Sequence, residues 1–124
     1  MKILFIGDVV GMKSCEALQK ALHGIKQKLG GEIVIVNGEN SAEGNGINPA
    51  SAEMIFDAGA DVITTGNHCF RQKTMEAEWE RNPRVIRPAN YGEDVIGRGV
   101  CELDRGAYSI AVINLMGTTF MQPL

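Results

Sequence analysis

The sequence lacks a surplus of positive charge. Twelve Lys and Arg against 15 Asp and Glu leave a net charge of -3 and a pI near 5.3, which provides no overall basic surface for a nucleic-acid duplex. It also lacks a long apolar run. Met1-Lys2-Ile3-Leu4-Phe5-Ile6-Gly7 carries one positive charge and a short hydrophobic stretch before Asp8, which fits neither a signal peptide nor a membrane span. A cytoplasmic location is the expectation. Cysteine is scarce: Cys15, Cys69 and Cys101 are odd in number and form no Cys-x-x-Cys pair, which argues against a disulfide framework and a zinc knuckle. Gly7-Asp8-Val9-Val10-Gly11 is not a Gly-x-Gly-x-x-Gly loop, so a dinucleotide cofactor is disfavoured. Internal repeats, low-complexity tracts and linkers are missing too. The 124 residues, 44% of them hydrophobic, are enough for one small domain spanning 1–124 and too few for two.

What is present alternates between two periodicities. Lys2 to Ile6 is an apolar run of strand type that breaks at Gly7-Asp8. From Ser14 to Leu29 the apolar residues Ala17, Leu18, Ala21, Leu22, Ile25 and Leu29 recur at helical spacing, with Ser14 as the N-cap and Gly30-Gly31 as the stop. Ile33 to Val36 is apolar on both faces, as an interior parallel strand should be, and it ends in Asn37-Gly38-Glu39-Asn40. Asn48-Pro49 opens a second helix to Ala58, and Val62-Ile63-Thr64-Thr65 is a third strand, closing on Gly66-Asn67-His68. A polar third helix is expected over Arg71 to Glu80, with Trp79 on a partly buried face. Val85-Ile86 is expected as a short strand. Val100 to Leu103 and Tyr108 to Leu115 flank Asp104-Arg105-Gly106-Ala107 as a hairpin. Met116 to Leu124 carry turn signals. No covering helix follows the last strand, so the domain looks incomplete.

Three polar clusters, Asp8, Glu39-Asn40 and Asn67-His68, follow apolar strands at the same polarity. In an open α/β sheet, ligands bind at the carboxyl ends of the strands. If the three strands are neighbours, carboxylate, amide and imidazole donors converge in a set suited to manganese, iron or zinc. Two such ions about 3.5 to 4 Å apart can clamp a phosphate and activate water. Each residue also has a plainer role. Asp8 can serve as an N-cap or turn former, Glu39-Asn40 as turn chemistry, Asn67 as a left-handed turn residue and His68 as a surface histidine. His23 is expected to be a solvated helix residue, and Cys69 a small side chain packed under a loop.

Ile6-Gly7-Asp8-Val9-Val10-Gly11, Asn37-Gly38-Glu39-Asn40, Gly66-Asn67-His68, Arg87-Pro88-Ala89-Asn90-Tyr91 and Ala111-Val112-Ile113-Asn114-Leu115 together resemble the YmdB family of metallophosphoesterases in the calcineurin-like superfamily. The glutamate of Asn-Gly-Glu-Asn, where most of the superfamily has aspartate, marks this branch. The resemblance implies an α/β fold that is the N-terminal half of an αββα sandwich. It implies a dinuclear metal site, iron first with manganese or zinc as alternatives, and hydrolysis of phosphodiesters such as 2′,3′-cyclic nucleotides. Asp8 would ligate one metal, Glu39 would bridge both and Asn67 would ligate the second. Asn40 would contact substrate or join the metal ligands, and His68 would act as general acid or steady the transition state. Three further histidine ligands and the second sheet would lie beyond this sequence, which would then be a fragment of the longer protein or a split half completed by a second chain or a homo-oligomer. The chain departs from the family at Met12-Lys13-Ser14-Cys15 and Cys69-Phe70-Arg71. A non-catalytic remnant that binds metal or nucleotide weakly, or acts as a regulatory module, is the competing reading.

Overall fold

The computed structural model describes residues 1–119. The apolar runs become β1 (Ile3–Ile6), β2 (Ile33–Asn37), β3 (Val62–Thr64) and β4 (Val85–Ile86), which form one parallel sheet in the order β1-β2-β3-β4. Neighbouring strands are therefore also consecutive in the chain. Ile6 pairs with Val36, and Asn37 pairs with Thr64, so β1, β2 and β3 end side by side. Two helices, α1 (Gly11–Leu29) and α2 (Pro49–Ala58), cover one face. Leu22, Ile55 and Ala52 pack there with Val34, Val36, Ile63 and Val85. Among the described residues, no helix is long and apolar enough to cross a membrane.

The other face is not bare. β5 (Val100–Asp104) and β6 (Ser109–Ile113) form an antiparallel hairpin, and its Cys101, Leu103 and Val112 pack on Ile33, Ile35, Val62 and Ile86. The expectation that the second sheet lies beyond this sequence is corrected accordingly: two of its strands lie within this chain. The cover is partial, because Phe5 and Ile113 are each 60% exposed and Leu115 69%.

Local signals fared differently. α2 starts as read, with the Asn48 side chain accepting from Ser51 N and the Ser51 side chain accepting from Asn48 N. Gly30 and Gly59 end their helices in the left-handed conformation. By contrast, α1 begins at Gly11, three residues before Ser14, with Val10 at the N-cap and no side-chain cap. Its first free N–H groups go to the neighbouring loop: Gly11 N donates to Asn40 O at 3.0 Å and Met12 N to Glu43 Oε1 at 3.3 Å. The third helix is also shorter than expected. Lys73–Met75 is a 3-10 turn and only Glu76–Arg81 is α-helical (α3). Upstream, Arg71 N donates to His68 O, and the Gln72 side chain is tied to Asn45 O at 2.7 Å, so the chain there is held in turns. Trp79 is 2% exposed, more buried than its polar neighbours suggested. β6 ends at Ile113, two residues short of the expected Leu115; Asn114 N still donates to Gly99 O at 3.0 Å, its carbonyl accepts from Ala89 N at 2.8 Å and its Nδ2 donates to Thr65 O at 2.6 Å. Of the turn signals over Met116 to Leu124, those from residue 120 onward lie outside the described residues.

The segment after β4 is organised by Arg87, which is 4% exposed. Its guanidinium donates to the carbonyl oxygens of Pro88, Gly92, Val95, Ile96 and Gly97. The loop thus wraps around one cation whose hydrogen bonds all go to main chain.

Candidate active site

The parallel register places Asp8, the Glu39-Asn40 pair and the Asn67-His68 pair at one end of the sheet. Asp8 follows β1 with φ at 24°, the one positive value on a non-glycine residue among those described. Its backbone is therefore held in a sparsely populated region, of a kind that collects at functional sites. Val9 N is anchored to Asn37 O at 3.0 Å, so the strained residue is tied directly to the end of β2. Asp8 does not cap α1, and its alternative role as an N-cap falls away.

Asn40 connects the clusters. Its Nδ2 donates to Asp8 Oδ1 at 2.8 Å, and its Oδ1 lies 2.5 Å from His68 Nδ1. A carboxylate only accepts, so the amide nitrogen must face Asp8 and the amide oxygen His68. It follows that His68 Nδ1 carries the proton in this contact, which leaves Nε2 as the ring nitrogen free for exchange. Glu39 lies beside the imidazole, with Oε2 4.0 Å from Nδ1 and accepting from His68 N at 3.4 Å. Asn37 Nδ2 reaches Glu39 Oε1 at 3.4 Å.

Gly66 is needed for a reason that only the folded chain reveals. Its φ is not in the left-handed region, so backbone freedom does not account for it. A Cβ there would instead press on the Glu39 carboxylate, 2.7 Å from Oε2. The absent side chain is the space in which that carboxylate sits.

Asp8, Glu39, Asn40, Asn67 and His68 all line one open cleft of about 440 Å3, together with Phe5, Gly7 and Asn37. All five site residues expected from the sequence are thus brought to one place; Asn67 is exposed at its rim. Asn37 was missed as an individual residue. Its Oδ1 is buried without a hydrogen-bond partner, and the only hint was its place in the Asn-Gly-Glu-Asn quartet. Among the described residues, no group of three or more His, Cys, Asp or Glu could hold a metal; the cleft offers two carboxylates, with amides making up the remaining oxygen donors. Cys69 lies beneath the loop and is fully buried. Burial, with a contribution from the Glu39 charge, pushes its thiol up to about 12 against an opposing hydrogen bond from Thr65, so it is not a nucleophile at neutral pH. His23 is solvent-exposed on α1.

The layered α/β fold thus gathers carboxylate, amide and imidazole groups at the carboxyl ends of neighbouring parallel strands, where open α/β sheets bind their ligands. The sequence matches the YmdB-like protein family over residues 4–124, and the chain belongs to that family. It is 38% identical over 124 residues to a Bacillus subtilis protein named 2′,3′-cyclic-nucleotide 2′-phosphodiesterase, covering 100% of this chain and 47% of the relative. A solved structure of a hypothetical protein from Thermus thermophilus superposes with a TM-score of 0.90 at 35% identity, over 99% of this chain and 48% of that one. A novel phosphatase from Mycoplasma pneumoniae gives a TM-score of 0.87 at 30% identity, over 100% of this chain and 45% of that one. The architecture is accordingly that of the calcineurin-like phosphoesterases expected from the motifs. The chain spans a little under half the length of the relatives it matches.

Proposed function

We propose that this chain supplies one wall of a two-cation phosphoesterase site that acts on phosphodiesters, with 2′,3′-cyclic nucleotides as the substrate class. The observation that carries the reading is the Asn40 amide, held between the Asp8 carboxylate at 2.8 Å and the His68 imidazole at 2.5 Å. A turn-forming asparagine needs neither partner. Family membership and the name of the Bacillus relative support the choice of substrate class.

The residues fit cations on two grounds. The Gly66 backbone keeps clear the space in which the Glu39 carboxylate sits, and the donors are carboxylate and amide oxygens with no ionised thiol among them, a set suited to iron or manganese and tolerant of zinc. Asp8, Glu39 and Asn67 would hold the ions, with Asn40 keeping one lone pair on Oδ1 for a further contact. Bound cations would supply a polarised phosphorus–oxygen bond and a water acidic enough to ionise near neutral pH. His68, with Nδ1–H held on Asn40, would present Nε2 to the leaving oxygen and, once Nε2 has taken up a proton from water, would donate that proton to it as general acid. Two carboxylates cannot saturate two ions, so the remaining ligands would come from outside the described residues. The three buried, unpaired cysteines support a reducing compartment such as the cytoplasm.

The competing reading, a non-catalytic module that binds metal or nucleotide weakly, is favoured by the lack of a three-membered metal cluster among the described residues. Metal analysis after purification, paired with hydrolysis of 2′,3′-cyclic AMP and bis-p-nitrophenyl phosphate in added manganese, separates the two. Bound metal and turnover, alone or with the partner polypeptide, are expected. Metal-free protein with no turnover in either setting would leave the module.

A further inference from the structure

Two residues past His68 the chain presents Phe70, 41% exposed. Single exposed hydrophobic side chains are common, but this ring is pinned. It meets Trp79 edge-on at 5.5 Å and 69°, and Tyr91 at 6.0 Å in a tilted contact. It forms one side of a pocket of about 420 Å3 that Trp79 and Ile96 continue and that Gln72, Lys73 and Glu76 rim. The loop carrying Phe70 is fixed from both directions. Arg71 N donates to His68 O at 3.2 Å, Gln72 Nε2 donates to Asn45 O, and a Cβ at Gly46 would strike the Arg71 side chain. Phe70 and His68 thus belong to one turn that is tied to the Asn45-Gly46 loop.

We infer that this pocket is a nucleobase subsite, with Phe70 as its stacking platform. An aromatic face accepts any base, while Lys73 offers donors and Glu76 acceptors to the polar edge of a ring. The choice of occupant rests on the cyclic-nucleotide reading above: the turn that carries His68 into the cleft also carries Phe70, two residues on, into this pocket. The subsite thus sets preference for nucleotides over small phosphodiesters that lack a base.

Trp79 is the only tryptophan in the chain and lines the pocket, so its fluorescence reports occupancy directly. Adenosine, which carries no phosphate, is titrated against the unmodified chain and against Phe70→Leu, with ribose as the comparison. A saturable change in Trp79 emission is expected with adenosine and not with ribose. Phe70→Leu, which keeps an apolar side chain but removes the π face, weakens adenosine binding roughly five- to a hundredfold, as loss of one base–aromatic stack does. No response to adenosine, an equal response to ribose, or unchanged affinity in Phe70→Leu overturns the subsite. Should the variant fail to fold, the comparison of adenosine with ribose on the unmodified chain decides alone. An adenosine response in a protein without phosphodiesterase turnover supports the subsite and removes the hydrolytic reading. Turnover without an adenosine response does the reverse.

Discussion

Replacing Gly66 by alanine separates the site from the fold. The new Cβ would lie 2.7 Å from Glu39 Oε2 and 2.8 Å from Glu39 Cδ, well inside van der Waals contact, so something must shift. What it meets is the far end of a flexible side chain and not backbone. The φ of Gly66 lies outside the left-handed region, so alanine suits the backbone and even reduces the entropy of the unfolded chain, an effect of about 0.4 to 1 kcal/mol in favour of folding. Glu39 yields by changing rotamer, at a cost of the same order. Net stability should change by no more than about 1 kcal/mol, which thermal and urea unfolding can measure. The carboxylate, however, leaves its place beside His68, and a displacement of about 1 Å at a catalytic group can cost on the order of a hundredfold in rate. Manganese titration of the variant should show at least tenfold weaker binding, with turnover reduced at least as much. Gly99→Ala is the contrast, because its Cβ would run into the backbone of Ala89 and should damage the fold itself. If Gly66→Ala binds metal like the parent, Glu39 is not a ligand. If it unfolds like Gly99→Ala, the steric reasoning is wrong.

Asp8→Asn and Glu39→Gln should each abolish metal-dependent turnover with little loss of stability, as measured by metal content and melting temperature, whereas Asp8→Gly should lose metal while gaining up to about 1 kcal/mol from relief of the positive φ. Alkaline pH should destabilise the chain. The folded Cys69 thiol is pushed up to about 12, above its ordinary value near 8.5 in an unfolded chain, so the folded state keeps a proton that the unfolded state gives up. The stabilisation is whole below about pH 8.5 and is lost as pH rises toward 12, at about 1.4 kcal/mol per pH unit for this thiol. Burial pushes Cys15 and Cys101 the same way. Urea midpoints that stay flat between pH 8 and 10 would contradict this. Arg87→Lys should cost about 3 kcal/mol or more, because three ammonium donors cannot serve five carbonyl groups arranged around a planar fork; a melting temperature within a degree or two of the parent would count against that account.

The sheet was legible because its strands are short apolar runs followed by glycine or polar clusters, and strand polarity alone carried Asp8, Glu39 and His68 to one edge. The Asn48-Pro49 helix start was legible for a similar reason: the cap is local chemistry. What escaped the sequence was long-range. Ser14 looked like a cap, yet the first turn of α1 is satisfied by Asn40 and Glu43, about 30 residues away, and no local pattern encodes that. Residues 71 to 75 are polar enough for a helix, but Gln72 is engaged by Asn45. The Glu39 carboxylate sits in the space a side chain at Gly66 would take, a relation with no signature beyond the glycine itself. The Asn40 relay could not be read either, since an asparagine in a turn looks the same whether or not its amide joins an acid to an imidazole.

All three cysteines are buried and unpaired. The native protein therefore offers thiol reagents almost nothing to attack, so a cysteine introduced at an exposed position would be the sole point of attachment for a dye or spin label. Placed on α1, far along the chain from the lone indole, such a label would let the separation between helix layer and loop be followed by energy transfer without first engineering away any native side chain.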